Sequence, residues 1–272
     1  KGKDFVYTMS KKTGMIQQMK FAGREYLNKP MELNIWRAPT DNDMYIKSEW
    51  KKAHYDEAYT RAYNVETVQN KHGVIVMAQV AVVAPTVQKI MDVYLTWKFT
   101  ETGKIHVYMD VTKDIEFPVL PRFGIRMFLN NKMNKTSYYG MGPQESYRDK
   151  NKAAYHGLFH AKVEGMYEPY IRPQENGSHY DCDFVEVSGN QFGIAVASEN
   201  TFSFNASRYT QEELENTAHN YELKESDSTV LCIDYALNGI GSNSCGPQVL
   251  EKYQFNDESF RFQINLIPFV KG

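Results

Sequence analysis

The sequence predicts an all-β fold: two packed sheets of antiparallel strands with one or two short helices. Three observations carry that expectation. Short runs of β-branched and aromatic residues alternate with polar ones at a period near two, Gly, Asn and Asp turns punctuate the runs, and helical signals are few. A period of two sends successive side chains to opposite faces, which suits strands with one face in a core.

The elements follow in order. Phe5 to Met9 and Met15 to Phe21 flank Lys11-Lys12-Thr13-Gly14, where Gly can take the positive φ of a short hairpin loop, so the chain opens on a hairpin. Ser48 is placed to cap a short helix reaching about Tyr59. Val74 to Val83, Ile90 to Thr100 and Ile105 to Thr112 read as three strands of a meander, the last two joined by Glu101-Thr102-Gly103-Lys104. Arg122 to Leu129, Phe184 to Val187, Gly193 to Ala197, Thr229 to Tyr235 and Phe260 to Ile267 read as further strands. Thr210-Gln211-Glu212-Glu213 has the Thr-x-x-Glu form of a capping box ahead of Leu214. No repeat, low-complexity tract or flexible linker interrupts the pattern, so residues 1–272 are expected to form a single β-sandwich domain.

Composition narrows the partners. With 31 basic and 33 acidic residues the net charge is −2, which gives no electrostatic reason to bind nucleic acid or an anionic membrane. No run approaches the 18 or so apolar residues of a membrane span, and no signal-peptide core follows Lys1. Because Lys1 is not Met and strand-like sequence begins at once, the chain is expected to be cut from a longer polypeptide. Cys182, Cys232 and Cys245 are odd in number and lack the C-x-x-C spacing of zinc sites, so free thiols are expected. That count leans weakly toward a reducing compartment, and bacterial cytoplasm and periplasm both stay open.

Seven histidines, at 54, 72, 106, 156, 160, 179 and 219, include one pair at i, i+4 spacing, His156 and His160, in a Gly- and aromatic-rich stretch without helical character. A packing or surface role is expected there rather than a metal site. No nucleophile elbow, phosphate-binding loop or dinucleotide fingerprint is present. Three polar clusters stand out: Trp36 to Asp43, Tyr139 to Tyr147, and Pro173 to Gly177. Amides and carboxylates can chelate adjacent hydroxyls while an aromatic ring covers the C–H face of a sugar, so the mixture suits a neutral carbohydrate. The same residue types are the ordinary material of turns. Glu145 and Glu175 are the carboxylates to weigh as a glycosidase pair, although loop spacing fixes no distance between them.

These clusters resemble motifs of the C-terminal domain of large bacterial β-galactosidases of glycoside hydrolase family two. The matching segments are Trp36-Arg37-Ala38-Pro39-Thr40-Asp41-Asn42-Asp43, Gly140 to Tyr147 followed by Arg148-Asp149-Lys150, Tyr170 to Gly177, Asn205 to Thr210, and Gly239-Ile240-Gly241, in the family's order over almost the whole chain. The resemblance implies a supersandwich of the galactose-mutarotase-like type. It implies a retaining β-galactosidase as parent, acting on terminal β-D-galactosides such as lactose, with both catalytic glutamates on a separate barrel domain and no catalytic residue on this chain. Arg37, Asp41, Asn42 and Asp43, with Ser244 and Cys245, are the implied carbohydrate-binding rim. No metal or other cofactor is implied here, and Mg2+ and Na+ are implied only for the parent. Implied partners are the galactoside, the barrel and sandwich domains of the same polypeptide, and further copies in a homo-oligomer. Two departures are visible: Met44 follows Asp43 where many relatives have Gly, and Ser242-Asn243-Ser244-Cys245-Gly246 stands where relatives often carry a Trp. A stand-alone carbohydrate-binding or aldose-epimerase-like protein is the alternative, and it would need an acid and a base of its own within reach of a sugar ring.

Overall fold

Alternation at period two becomes antiparallel sheet along most of the chain. A computed structural model describes residues 1–71, 73–86, 88–242 and 244–271. Among these run strands β1 (Phe5–Met9), β2 (Ile16–Phe21), β3 (Arg24–Glu25), β4 (Leu27–Asn34), β5 (Tyr59–Asn70), β6 (Gly73–Val83), β7 (Lys89–Phe99), β8 (Ile105–Lys113), β9 (Arg122–Asn130), β10 (Lys135–Gly142), β11 (Tyr155–Lys162), β12 (Ser178–Ser188), β13 (Phe192–Ser207), β14 (Ser228–Leu237) and β15 (Ser259–Val270). Two short helices accompany them, α1 (Ile46–Lys52) and α2 (Gln211–Asn216).

The opening hairpin forms as the turn chemistry requires. Gly14 has φ 71°, and its carbonyl accepts from the Trp97 indole Nε1 at 3.0 Å, which ties the hairpin loop to β7. A small sheet β1-β2-β3 stands beside a large one ordered β11-β10-β12-β13-β15-β8-β7-β6-β5. Strand β13 makes the fold a supersandwich, because its first half, Phe192 to Ala197, pairs with β15 while its second half, Ser203 to Ser207, pairs with β14. Strand β14 in turn pairs with β9, and β9 with β4. The chain thereby passes from one face of the core to the other. Phe123 of β9 meets Phe260 of β15 edge-on at 5.1 Å, and Trp97, Ile125, Met127, Val187 and Phe204 fill the space between with no exposure above 0%.

The strand expectations over 74–83, 90–100, 105–112, 122–129, 229–235 and 260–267 are met to within a few residues, and 184–187 and 193–197 prove to be parts of the longer β12 and β13. Strands β3, β4, β5, β10 and β11 were not anticipated. The first helix corrects the expectation at Ser48. It runs from Ile46, with Ser48 inside it and its hydroxyl donating to the Tyr45 carbonyl at 2.8 Å, and it stops before Tyr59 because His54 adopts φ 54°. The second helix shows half of the expected box: Thr210 Oγ1 accepts from Glu213 N at 3.1 Å, while Glu213 Oε1 accepts from Lys224 N and Thr217 Oγ1 instead of the cap. Cys182 and Cys232 are buried free thiols, and Cys245 is exposed. His156 and His160 lie on a strand, where His156 contacts the Asp181 carbonyl and His160 contacts Ser137. His72 and Asn243 lie outside the described residues. Among the described residues no helix is long and apolar enough to cross a membrane.

Candidate functional site: a polar cluster built from five segments

The five polar motifs, far apart in sequence, interlock in space. The turn after Trp36 forms the centre of the cluster. Pro39 and the acidic residues that follow favour a tight turn, and Asp41–Asp43 form one turn of 3-10 helix in which Asp43 Oδ2 accepts from Thr40 N at 2.9 Å. The other face of that carboxylate holds Arg37 in a two-pronged fork, Nε to Oδ2 at 3.2 Å and a terminal nitrogen to Oδ1 at 2.7 Å. Both side chains are buried, at 0% and 2% exposure, so the charges must satisfy each other. The rest of the guanidinium donates to the carbonyls of Asn238 at 2.6 Å and Gly239 at 3.1 Å. Trp50 of α1, fully buried, lies over Arg37 at 5.3 Å and meets Trp36 edge-on.

Arg37 therefore fastens the 41–43 turn to the loop that follows β14. Asn42 Nδ2 repeats the connection by donating to Gly241 O at 3.0 Å, and the Asp149 carboxylate ties a third segment to the same loop by accepting from Ile240 N and Gly241 N at 3.1 and 2.9 Å. Gly241 has φ 71°, and a Cβ there would sit 3.3 Å from Asn42 Cβ, so glycine serves both the turn and the close approach.

The segment 173–177 supplies the opposite wall. Buried Gln174 accepts from Asp41 N at 3.0 Å and donates to Asp41 Oδ2 at 3.1 Å, and Glu175 N donates to Ala38 O at 3.0 Å. Beneath it Arg122 grips Asp234 with two bonds and Glu175 Oε2 with a third at 3.2 Å. Burial pushes the Glu175 carboxyl upward, Arg122 and Arg37 oppose the shift, and its Oε1 has no protein partner. Glu145 is held by Lys150, the Tyr170 hydroxyl and Gly177 N. Asn205 Nδ2 closes the ring by donating to Asn176 O.

This geometry decides what the candidates can do. Glu175 is bound to Arg122 at 4% exposure and Glu145 to a lysine, a phenol and an amide at 9%, so neither carboxylate faces a space that a sugar could enter. Asp41 is exposed, Asn42 half-buried, and Arg37 and Asp43 are beneath them. A cavity of 430 Å³ opens beside the turn, lined by Asn42, Asp43, Tyr45, Ser48, Asn238 and Gly241 among others, while Asp41 lines a second cleft of 460 Å³ with Lys47, Lys51 and Arg172. Ser244 and Cys245 line neither; they contact each other at 3.9 Å on the outer part of the loop. Among the described residues no group of three or more His, Cys, Asp or Glu is arranged to hold a metal ion.

The Arg122 and Asp234 contributions were missed from sequence, and Gln174 stood in the 173–177 cluster without a role of its own. A charged residue inside the apolar run Thr229 to Tyr235 was the available signal for Asp234, since a buried carboxylate demands a cationic partner.

Comparison with known proteins adds the family. A model described as "Beta galactosidase small chain" matches residues 1–266. A β-galactosidase of Actinobacillus pleuropneumoniae is 41% identical over 97% of this chain and 26% of its own length, and one of Staphylococcus xylosus is 38% identical over 97% and 27%. A β-galactosidase of the yeast Kluyveromyces lactis is 29% identical over 96% and 26%, so the similarity extends beyond bacteria. The chain thus spans about a quarter of the length of these curated relatives. Among solved structures, a galactose 1-epimerase from Lactobacillus acidophilus NCFM superposes with a TM-score of 0.46 and 7% identity over 99% of this chain and 92% of that one, a likeness of shape too loose to build on. Matched along nearly its whole length, the chain belongs to the β-galactosidase small-chain family.

Proposed function

We propose that this chain is the C-terminal part of a retaining β-galactosidase and supplies rim and assembly surface to a galactoside site whose two catalytic glutamates lie on another domain of the same polypeptide. One observation carries the reading. The turn of exposed Asp41 and half-buried Asn42 is fastened through Arg37 and Asp43 to the 238–241 loop beside an open cavity, while the carboxylates nearby are already engaged in structural contacts. Preorganised Asp and Asn side chains on a rigid support are suited to orient sugar hydroxyls, because orientation bought in advance is not lost on binding. Retaining hydrolysis needs a nucleophile and a general acid about 5 Å apart, both reaching the sugar. Glu145 and Glu175 do not meet that need, since each is wrapped by protein donors. In this reading any Mg2+ or Na+ of the complete enzyme is held by ligands outside this chain. A self-contained epimerase-like reaction has less support: His179 is buried between Tyr138 and Phe204 and its Nδ1 is engaged by the Met141 carbonyl.

The test is made on the complete polypeptide that carries this chain. Asn42→Ala should raise KM for a chromogenic β-galactoside severalfold with kcat little changed, as loss of an orienting contact does. A variant with both constants unchanged would remove the turn from the rim.

A further inference from the structure

We infer that Gln174 is a positioning residue that presents the Asp41 carboxylate to the ligand. The inference rests on the reading of Asp41 as a rim residue and goes beyond it, because Gln174 comes from a different segment and reaches the cleft only through Asp41.

Four observations lead there. Gln174 is buried at 8% exposure although its partner Asp41 is exposed, so a satisfied interior amide supports a carboxylate at the surface. Its amide is fully used: Oε1 accepts from Asp41 N at 3.0 Å, and Nε2 donates to Asp41 Oδ2 and to Arg172 O, each at 3.1 Å. Only one orientation of the amide satisfies all three bonds, since Asp41 N must donate and Asp41 Oδ2 must accept. The backbone behind Gln174 is itself pinned, with its carbonyl accepting from Asn176 Nδ2 at 2.9 Å and Glu175 N bonded to Ala38 O.

The consequence is geometric. One carboxylate oxygen of Asp41 is held by Gln174, which leaves Oδ1 as the oxygen directed to a ligand. Without the clamp an exposed aspartate samples several rotamers, and the sugar must then order it on binding. Gln174 thereby acts on affinity and orientation without touching the reacting atoms. Glutamate at this position would set a carboxylate against a carboxylate, and asparagine would fall one methylene short of both contacts.

The experiment is a double-mutant cycle in the complete polypeptide, using a chromogenic β-galactoside with kcat, KM and thermal midpoint measured for Gln174→Ala, Gln174→Glu, Asp41→Ala and the double variant. We expect Gln174→Ala to raise KM about tenfold, the scale of one charge-assisted hydrogen bond, with kcat within about twofold, and Gln174→Glu to raise it at least as much. In the Asp41→Ala background Gln174→Ala should have no further effect on KM, because its action passes through that carboxylate. If Asp41→Ala leaves KM unchanged, the rim reading of Asp41 fails and takes this inference with it. If Asp41→Ala raises KM while both Gln174 variants do not, or if the two changes multiply, only the inference about Gln174 is overturned. A fall in thermal midpoint without a KM change in the Gln174 variants would likewise reduce the contact to a structural one.

Discussion

Removing the Arg37 guanidinium tests the polar scaffold at its most constrained point. Arg37→Ala deletes two bonds to Asp43 and two to the carbonyls of Asn238 and Gly239, all in a site where Arg37 is 0% exposed. Asp43, 2% exposed, keeps the Thr40 amide as a donor and becomes a buried charge without its counterion. Breaking a buried ion pair from one side costs about 3–5 kcal/mol. A domain of this size loses roughly 2–4 °C of Tm per kcal/mol, so the midpoint should fall by about 10 °C. Arg37→Lys keeps the charge but not the planar fork, and should fall between wild type and alanine. The assay is thermal unfolding followed by far-ultraviolet circular dichroism together with tryptophan fluorescence, which reports Trp50 above the guanidinium. A loss of less than about 2 °C for Arg37→Ala would refute the argument that this pair holds the turn to the loop.

Three further outcomes follow from particular residues. Burial holds His179 at a pKa of about 4, below the ordinary 6.5, so the folded state resists its protonation; the stability is fully present above pH 6.5 and is lost as pH falls toward 4, by about 3 kcal/mol over that window. His179→Gln should flatten this part of the stability–pH curve measured by urea unfolding, and an unchanged slope would contradict the assignment. Gly14→Ala meets both a φ of 71° and a new Cβ 2.8 Å from Val80 Cγ1, so it should lower stability by more than about 1 kcal/mol in the same assay. Thiol titration should find one fast cysteine, Cys245, with Cys182 and Cys232 reacting only in denaturant, since burial raises both thiols, Cys232 to about 12.

The parts of the fold legible in the sequence are those where the two faces of a strand meet different surroundings. In β7 the buried positions Met91, Val93, Leu95, Trp97 and Phe99 stand out against the exposed Tyr94 and Lys98, and the period of two is plain. Strands β5 and β11 were missed because they form the two edges of the large sheet and are mostly exposed, so Asn64, Glu66, Thr67 and Gln69 read as loop. Strand β4 was hidden by Pro30, which is tolerated because β4 pairs on one side only, with β9 and through two irregularities of register. The site was legible in its pieces, since each polar motif is a short run of turn formers and carboxylates. Its assembly was not, because Arg122 and Asp234 stand 112 positions apart and Asp41 and Gln174 133 apart. Sequence spacing on loops carries no distance between Asp41 and Gln174, and Arg122 reaches Asp234 because β9 pairs with β14, a pairing that no local pattern announces.

Under the proposed function, this chain orients a galactoside and does not cleave it. The most direct measurement is the rate at which the purified chain alone releases chromophore from a chromogenic β-galactoside, compared with the complete polypeptide at equal molarity. The account predicts no release above the solvent rate from the chain over hours and ready turnover by the complete polypeptide. Turnover by the chain that survives purification and vanishes in Glu145→Gln or Glu175→Gln would contradict it.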